Sequence, residues 1–262
     1  MKTTTSNSNH MASTAIDNQF HRNSSRLRRG KFLLLTLLGA GWLAAYAHAN
    51  ALTGFYTQVA AADPDFGSGA GGILANGLVQ SQLGPDGVPV LSAAGITRLG
   101  TSSDMNATTH ELLWWSPGAD PFVSNDLNPV QVNTVPMNFG YPNMNFYPTG
   151  QTGDQNYFRS VHWEGTFDLT SAGSVSLSMT VDDDGWLYID GTLATETHYN
   201  TTSISPTESA GMHTIDIFYD DRIPVYDSFA LTSSVTLSPV PEPSVFAIAG
   251  IGAAAFFARR RK

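Results

Sequence analysis

The chain has no cysteine. No disulfide can staple it, no thiolate can bind a metal, and cysteine nucleophiles are excluded. Stability has to come from a hydrophobic core, and the roughly 190 residues between the terminal segments are enough to bury one as a single domain. Positive charge is almost as scarce. Of 13 lysines and arginines, six precede residue 50 and four follow residue 258. Arg98, Arg159 and Arg222 are the only cations between them, and lysine is absent there. The same stretch carries 20 of the 22 carboxylates, for a net charge near −17. Such a domain repels nucleic acid and anionic membrane surfaces. Self-repulsion also weakens the compact state unless cations offset it. Calcium, available outside the cell, is one such cation; a solvated acidic surface that keeps the protein soluble is the alternative. Gly-x-Ser-x-Gly, His-Glu-x-x-His and phosphate-loop motifs are missing. So is any apolar period with helix caps between residues 50 and 240.

Apolar runs stand at the two ends. Near the start, Arg26, Arg28, Arg29 and Lys31 precede the run Phe32 to Ala45, and Ala47-His48-Ala49 follows. A basic region, an apolar core and an Ala-x-Ala site make a secretory signal peptide over residues 1–49, with signal peptidase cutting after Ala49 or, as an alternative, after Ala51. At the other end, residues 238–262 hold Pro241-Glu242-Pro243, an uncharged run from Ser244 to Ala258, and Arg259-Arg260-Arg261-Lys262. The prolines mark a boundary because they cannot continue a helix, and the basic cluster prefers the cytoplasmic side. The run is short for a permanent span, which takes ~20 apolar residues. This order resembles the PEP-CTERM tail of exported Gram-negative proteins. The resemblance implies recognition and processing by an exosortase. It also implies transient anchoring in the inner membrane through the C-terminal helix, and delivery to the cell surface or extracellular matrix.

From residue 157 the pattern becomes strict alternation. Val161, Trp163, Phe167 and Leu169 point one way, and His162, Glu164, Thr166 and Asp168 the other. Val175, Leu177, Met179 and Val181 repeat the pattern, as do His213, Ile215, Ile217 and Tyr219. Period two with β-branched and aromatic members predicts half-buried antiparallel strands. Asp190-Gly191 reads as a hairpin turn after Trp186 to Ile189. Residues 52–100 and 134–155 read as largely loop, with a short strand after the turn at Gly84 to Gly87. The fold class expected for residues 50–237 is therefore an all-β, antiparallel β-sandwich.

Asp182-Asp183-Asp184-Gly185 lies between two of these strands. Three consecutive carboxylates raise one another's pKa or recruit a cation, and calcium suits carboxylates on a loop. Two readings stand: a calcium site at Asp182, Asp183 and Asp184, or a turn held by carboxylates that accept backbone N–H bonds. The run Asp183-Asp184-Gly185-Trp186-Leu187-Tyr188-Ile189-Asp190-Gly191, followed by Gly211 to Tyr219, resembles the protective-antigen-like β-sandwich. In lectin members of that family an aspartate pair joined by a cis peptide binds calcium and, with it, a sugar. By position the pair is Asp183 and Asp184. A closer match is the fibro-slime domain, carried by Asp63-Pro64-Asp65-Phe66, Asp86 to Val90, Asp182 to Gly191 and Gly211 to Arg222 over roughly residues 52–233. Where that family has Glu-Arg-His, this chain has Asp221-Arg222-Ile223. Candidate sugar-stacking residues are Trp186, Tyr188 and Tyr199, with Trp114 and Trp115 as further aromatics. Trp186 and Tyr188 share one strand face, so one packing environment should hold both. Arg222 reads as an ion-pair partner, and His110 and His162 as exposed polar positions.

The expectation is a non-enzyme. A glycosidase needs only two carboxylates across a cleft, and Glu164, Asp168, Asp190 and Glu196 are the nominees should the domain be a polysaccharide hydrolase. Two non-catalytic readings come first. One is a calcium-dependent module that binds exopolysaccharide. The other is a structural matrix component without a specific ligand.

Overall fold

A computed structural model describes residues 50–67, 75–99, 104–140, 157–222 and 228–240. Ala47 and Ala49 of the signal peptide, and Pro241, Glu242 and Pro243 of the tail, lie outside the described residues. The strands in chain order are β1 (Ala51–Ala60), β2 (Val79–Leu83), β3 (Pro89–Leu91), β4 (Val123–Thr134), β5 (Met137–Gly140) and β6 (Tyr157–Leu169). They continue as β7 (Gly173–Ser174), β8 (Leu177–Val181), β9 (Asp184–Ile189), β10 (Thr192–His198), β11 (Thr201–Ile204) and β12 (Thr207–Glu208). The last are β13 (Gly211–Asp221), β14 (Ser228–Ser233) and β15 (Ser238–Pro239). One short helix, α1 (Ala93–Leu99), follows β3.

The strands form an antiparallel sandwich, as the alternation predicts. The large sheet runs β3-β2-β10-β9-β13-β6-β1-β4, with β15 added on β6; the facing sheet runs β11-β8-β14-β5. Between them lies a core of Leu52, Val161, Trp163, Phe167, Leu187, Ile215, Ile217 and Tyr219 from the large sheet. Leu177, Met179, Val181, Phe229 and Leu231 close it from the small one. The Trp163 ring centroid is 4.4 Å from that of Phe229. Its indole N–H donates to Asn133 Oδ1 at 2.9 Å, so the buried polar atom is satisfied.

The large sheet is covered on its second face as well. Phe66, Leu78, Val88, Leu112, Trp114, Trp115, Phe158, Trp186, Tyr188 and Phe218 form a second buried cluster, supplied largely by the segment between β1 and β4. Every residue of β9 is therefore buried. Leu187 and Ile189 enter the sandwich core, while Trp186 and Tyr188 enter the second cluster together, as their shared strand face requires.

Besides the short strands β2 and β5, which form where loop was expected, two elements depart from the sequence expectation. Residues 51–60 form a ten-residue strand rather than loop, paired with β4 on one side and β6 on the other. Its small residues suit that place: a Cβ on Gly54 would meet Tyr56 Cε2 at 2.7 Å and Trp163 Cδ1 at 2.9 Å. Helix α1 is the other departure. Its N-cap is Ser92, whose Oγ accepts the Gly95 N–H at 3.1 Å. Seven residues are too few to display an apolar period, so only the cap could have shown it.

The two ends of the domain meet. Ala51 N–H donates to Leu237 O at 3.0 Å, Leu237 N–H donates to Asn50 Oδ1 at 2.7 Å, and Ser238 then pairs with Thr166 of β6.

The β9–β10 turn carries a titratable clamp. Asp190 and Gly191 take φ values of 50° and 70°. The Asp190 carboxylate lies 2.7 Å from His213 Nδ1 and accepts the Thr214 N–H at 2.8 Å. The bond to Asp190 raises the His213 pKa. Burial pushes Asp190 up, but His213 and the Thr214 N–H outweigh it, so its pKa is lowered. The clamp therefore stabilises most between about pH 4 and 6.5, and its contribution is lost as pH rises through the folded His213 value. Thermal unfolding across pH 5 to 9 should show the difference between wild type and His213→Gln shrinking toward the alkaline end. A constant difference would show that the pair does not titrate with folding.

Candidate functional site

The β8–β9 turn brings the aspartate run under the end of β13. Asp183 has φ 70° and is the left-handed residue of the turn. Gly185 is needed for a different reason: a Cβ there would meet Val181 Cγ1 at 2.6 Å. Among the described residues the one cis peptide is Val135–Pro136, so the cis bond implied for Asp183–Asp184 is absent.

Arg222 occupies the centre of this corner, fully buried. Its Nε donates to Asp184 Oδ2 at 2.8 Å, and its backbone N–H donates to Asp183 Oδ2 at 2.6 Å. Its Nη1 donates to Asp65 O at 2.8 Å, and its own carbonyl accepts the Gly67 N–H at 2.7 Å. The guanidinium also sits 5.4 Å from the Trp114 ring centroid, within cation–π range. The second oxygen of Asp184 contacts His198 Nδ1 at 2.5 Å. Burial pulls the His198 pKa down, but the Asp184 and Glu196 carboxylates outweigh it and hold it at about 9. The pairing read from sequence for Arg222 is thus found, and its partners are the aspartates singled out as metal ligands. Asp182 stands apart, half-buried, with its pKa raised by desolvation.

Asp220, opposite Asp184 in the β13–β9 register, completes the corner. It is fully buried, and neither carboxylate oxygen accepts a hydrogen bond; Arg222 Nε lies 3.6 Å away. Burial first, then the Asp184 charge, raise its pKa well above the carboxylate range.

The aromatic expectation needs correction. Trp186 and Tyr188 are fully buried, and so is Trp114. None of them can present a ring face to a sugar, because the segment between β1 and β4 covers that side of the sheet. Tyr199 is exposed, at 60%, and its N–H donates to Asp183 O at 2.7 Å. The open aromatic surface lies elsewhere, on the outer face of β1, β6 and β13. There a cleft of about 380 Å³ is lined by Phe55, Asp86, Trp115, His162, Glu164 and Asp216, among others. His162 is not simply exposed: it stacks on Phe218 at 4.1 Å and lies 3.0 Å from Asp216 Oδ1. Glu164 and Asp216 oppose each other across β6 and β13. The signal for this cleft was the polar face of β6, where His162 and Glu164 alternate with the core residues. Of the other nominated carboxylates, Asp190 holds the clamp to His213, and Glu196 accepts the Gly77 N–H at 2.5 Å.

Removing the buried cation should be costly. Arg222→Met leaves Asp184 and Asp220 without the guanidinium they share, and breaking a buried pair costs about 3–5 kcal/mol. The expected result is a thermal midpoint lower by on the order of 10 °C at pH 7. A midpoint within about 2 °C of wild type would show that Arg222 is not what neutralises the corner.

Comparison with known proteins agrees with both halves of this picture. Residues 239–262 match the PEP-CTERM protein-sorting motif, and residues 142–242 match the PA14 domain. A search of curated proteins finds no match. Among solved structures, the chain is similar to the PA14 domain of the MpAFP antifreeze protein, at 17% identity over 74% of this chain and 93% of that one, with a TM-score of 0.30. It is also similar to the Epithelial Adhesin 9 A domain of Candida glabrata, solved with Galb1-4GlcNAc, at 12% identity over 34% of this chain and 50% of that one, with a TM-score of 0.26. A β-glucosidase of Kluyveromyces marxianus matches at 15% identity over 29% of this chain with a TM-score of 0.25, and the chain spans 9% of that enzyme. Among the described residues no helix is long and apolar enough to cross a membrane. The chain thus carries a PEP-CTERM protein-sorting motif at residues 239–262, and an antiparallel β-sandwich before it whose residues 142–242 match the PA14 domain.

Proposed function

We propose that this is an exosortase-sorted surface or extracellular-matrix protein whose β-sandwich binds exopolysaccharide in the cleft on the outer face of β1, β6 and β13. The carrying observation is the composition of that cleft. Phe55, 37% exposed, and the His162 ring offer apolar faces, while Asp86, Glu164 and Asp216 offer acceptors for hydroxyl groups. A concave site with aromatic walls and a few convergent polar groups is how proteins hold small polar ligands. The acidic domain favours a neutral glycan over an anionic one.

Binding of the exopolysaccharide isolated from the producing bacterium, measured with the exported protein on immobilised polymer, tests this reading. Phe55→Ala should weaken retention about tenfold, roughly the 1.4 kcal/mol expected of a lost stacking contact. Wild-type protein that ignores the polymer, or Phe55→Ala protein that binds it as well, would leave the domain a structural matrix component.

Calcium belongs to the same proposal, at the corner of Asp183, Asp184 and Asp220. What supports it is the charge balance: Asp65, Asp183, Asp184 and Asp220 outnumber Arg222 and His198, and Asp220 has no hydrogen-bond donor. The alternative is a protonated Asp220, with Arg222 doing the work otherwise assigned to the ion. Calcium should raise the thermal midpoint of wild type more than that of Asp220→Asn. Equal shifts in the two proteins would place no calcium at this corner.

A further inference from the structure

A second group of carboxylates lies outside the residues matched by the PA14 domain. Asp63 sits in the turn that ends β1, where its Oδ1 accepts the Asp65 N–H at 2.8 Å. Asp120 sits in the turn that leads into β4, where its Oδ1 accepts the Phe122 N–H at 2.7 Å. Asp104 comes from a third segment, whose carbonyl accepts the Leu113 N–H at 2.9 Å. The three are 3%, 2% and 0% exposed, respectively. One ligand oxygen from each lies within 4.8 Å of the others.

Local turn structure explains only half of each outer carboxylate. Asp63 and Asp120 each spend one oxygen on a backbone N–H, yet Oδ2 of both is buried and meets no hydrogen-bond donor. The unpartnered Oδ2 atoms of Asp63 and Asp120, on nine-tenths-buried side chains set beside Asp104 from a third segment, call for a positive ligand. Oxygens this close together can share one ion, since two on opposite sides of a calcium, each at ~2.4 Å, stand no more than ~4.8 Å apart. The donors are all oxygen, which selects a hard cation over zinc or copper. The dry surroundings favour calcium over magnesium, which retains several waters. Without an ion, burial raises Asp63 to about 6, and burial followed by the neighbouring aspartates raises Asp104 to about 10.

We propose that Asp63, Asp104 and Asp120 bind a calcium ion that fastens the covering segment to the large sheet. The ion pins the end of β1, the Asp104 segment and the start of β4. Next to it, Asp65 Oδ2 accepts the Trp114 indole N–H at 3.2 Å, and Trp114 is followed by Trp115 in the cleft wall. The site is separate from the Asp183–Asp184–Asp220 corner and needs no glycan to be bound.

Terbium is the probe, because it replaces calcium and luminesces when a nearby tryptophan is excited. In full exported protein carrying Asp220→Asn, calcium-displaceable terbium luminescence should persist at one ion per molecule. Adding Asp104→Asn and Asp120→Asn should lower it at least tenfold, with the far-ultraviolet circular dichroism unchanged. If that combined variant does not fold, the Asp220→Asn protein alone decides: sensitised terbium at one equivalent supports the site, and no sensitised terbium overturns it. Unchanged luminescence in a folded combined variant also overturns it, and leaves three carboxyl groups that share protons. Loss of glycan binding alone would touch the cleft reading and not this one.

Discussion

The buried guanidinium of Arg222 is the contact on which the rest of the molecule depends. It joins three pieces that are far apart in the chain: the Asp63–Gly67 turn, the β8–β9 turn and the end of β13. A guanidinium is suited to this because it stays charged in any folded environment and offers several donors in one plane. A lysine's three donors radiate from a single nitrogen and could not take the separate positions of Nε and Nη1 that bond Asp184 and Asp65 O. In a segment with 20 carboxylates and three arginines, burying both Arg159 and Arg222 leaves Arg98 as the one arginine at the surface. The interior and the surface therefore face the same shortage of positive charge.

The large sheet is a middle layer, and this explains what the sequence showed and what it hid. β6, β8 and β13 each alternate because one side of each enters the sandwich core, and the alternation was legible. β9 does not alternate in polarity, since the second cluster buries its other face. That is why Trp186 and Tyr188 looked like stacking residues: aromatic side chains on the outer face of a sandwich strand point to solvent unless something covers them. The cover is the stretch between β1 and β4, rich in glycine and short elements, whose packing no local pattern announces. β1 was hidden for a related reason. Buried along most of both faces, with an exposed Phe55 where a polar residue would be expected, it lacks a clear polar half of the period.

The aspartate run was legible as a place where charge needs an answer. Its answer within the chain lies 38 residues away, at Arg222. Sequence could nominate Arg222 as an ion-pair partner because cations are so few, but not Asp220, whose burial follows from the β13–β9 register. The group of Asp63, Asp104 and Asp120 was invisible as a group, since its members are separated by 41 and 16 positions. Of the three, Asp63 alone belongs to a stretch the sequence singles out, Asp63-Pro64-Asp65-Phe66.

The pairing of Asn50 and Ala51 with Leu237 sets how load passes through the molecule. The points where the chain enters and leaves the domain therefore lie side by side, at Asn50 and Leu237. While the tail is still held at the membrane, tension on it arrives at β15, a two-residue strand beside β6 and β1. That short pairing can open and close without disturbing the eleven-rung contact between β6 and β13. Load on the tail thus reaches β6 and β1, which also carry the cleft, before β9 and β13, which carry the Asp183–Asp184–Asp220 corner.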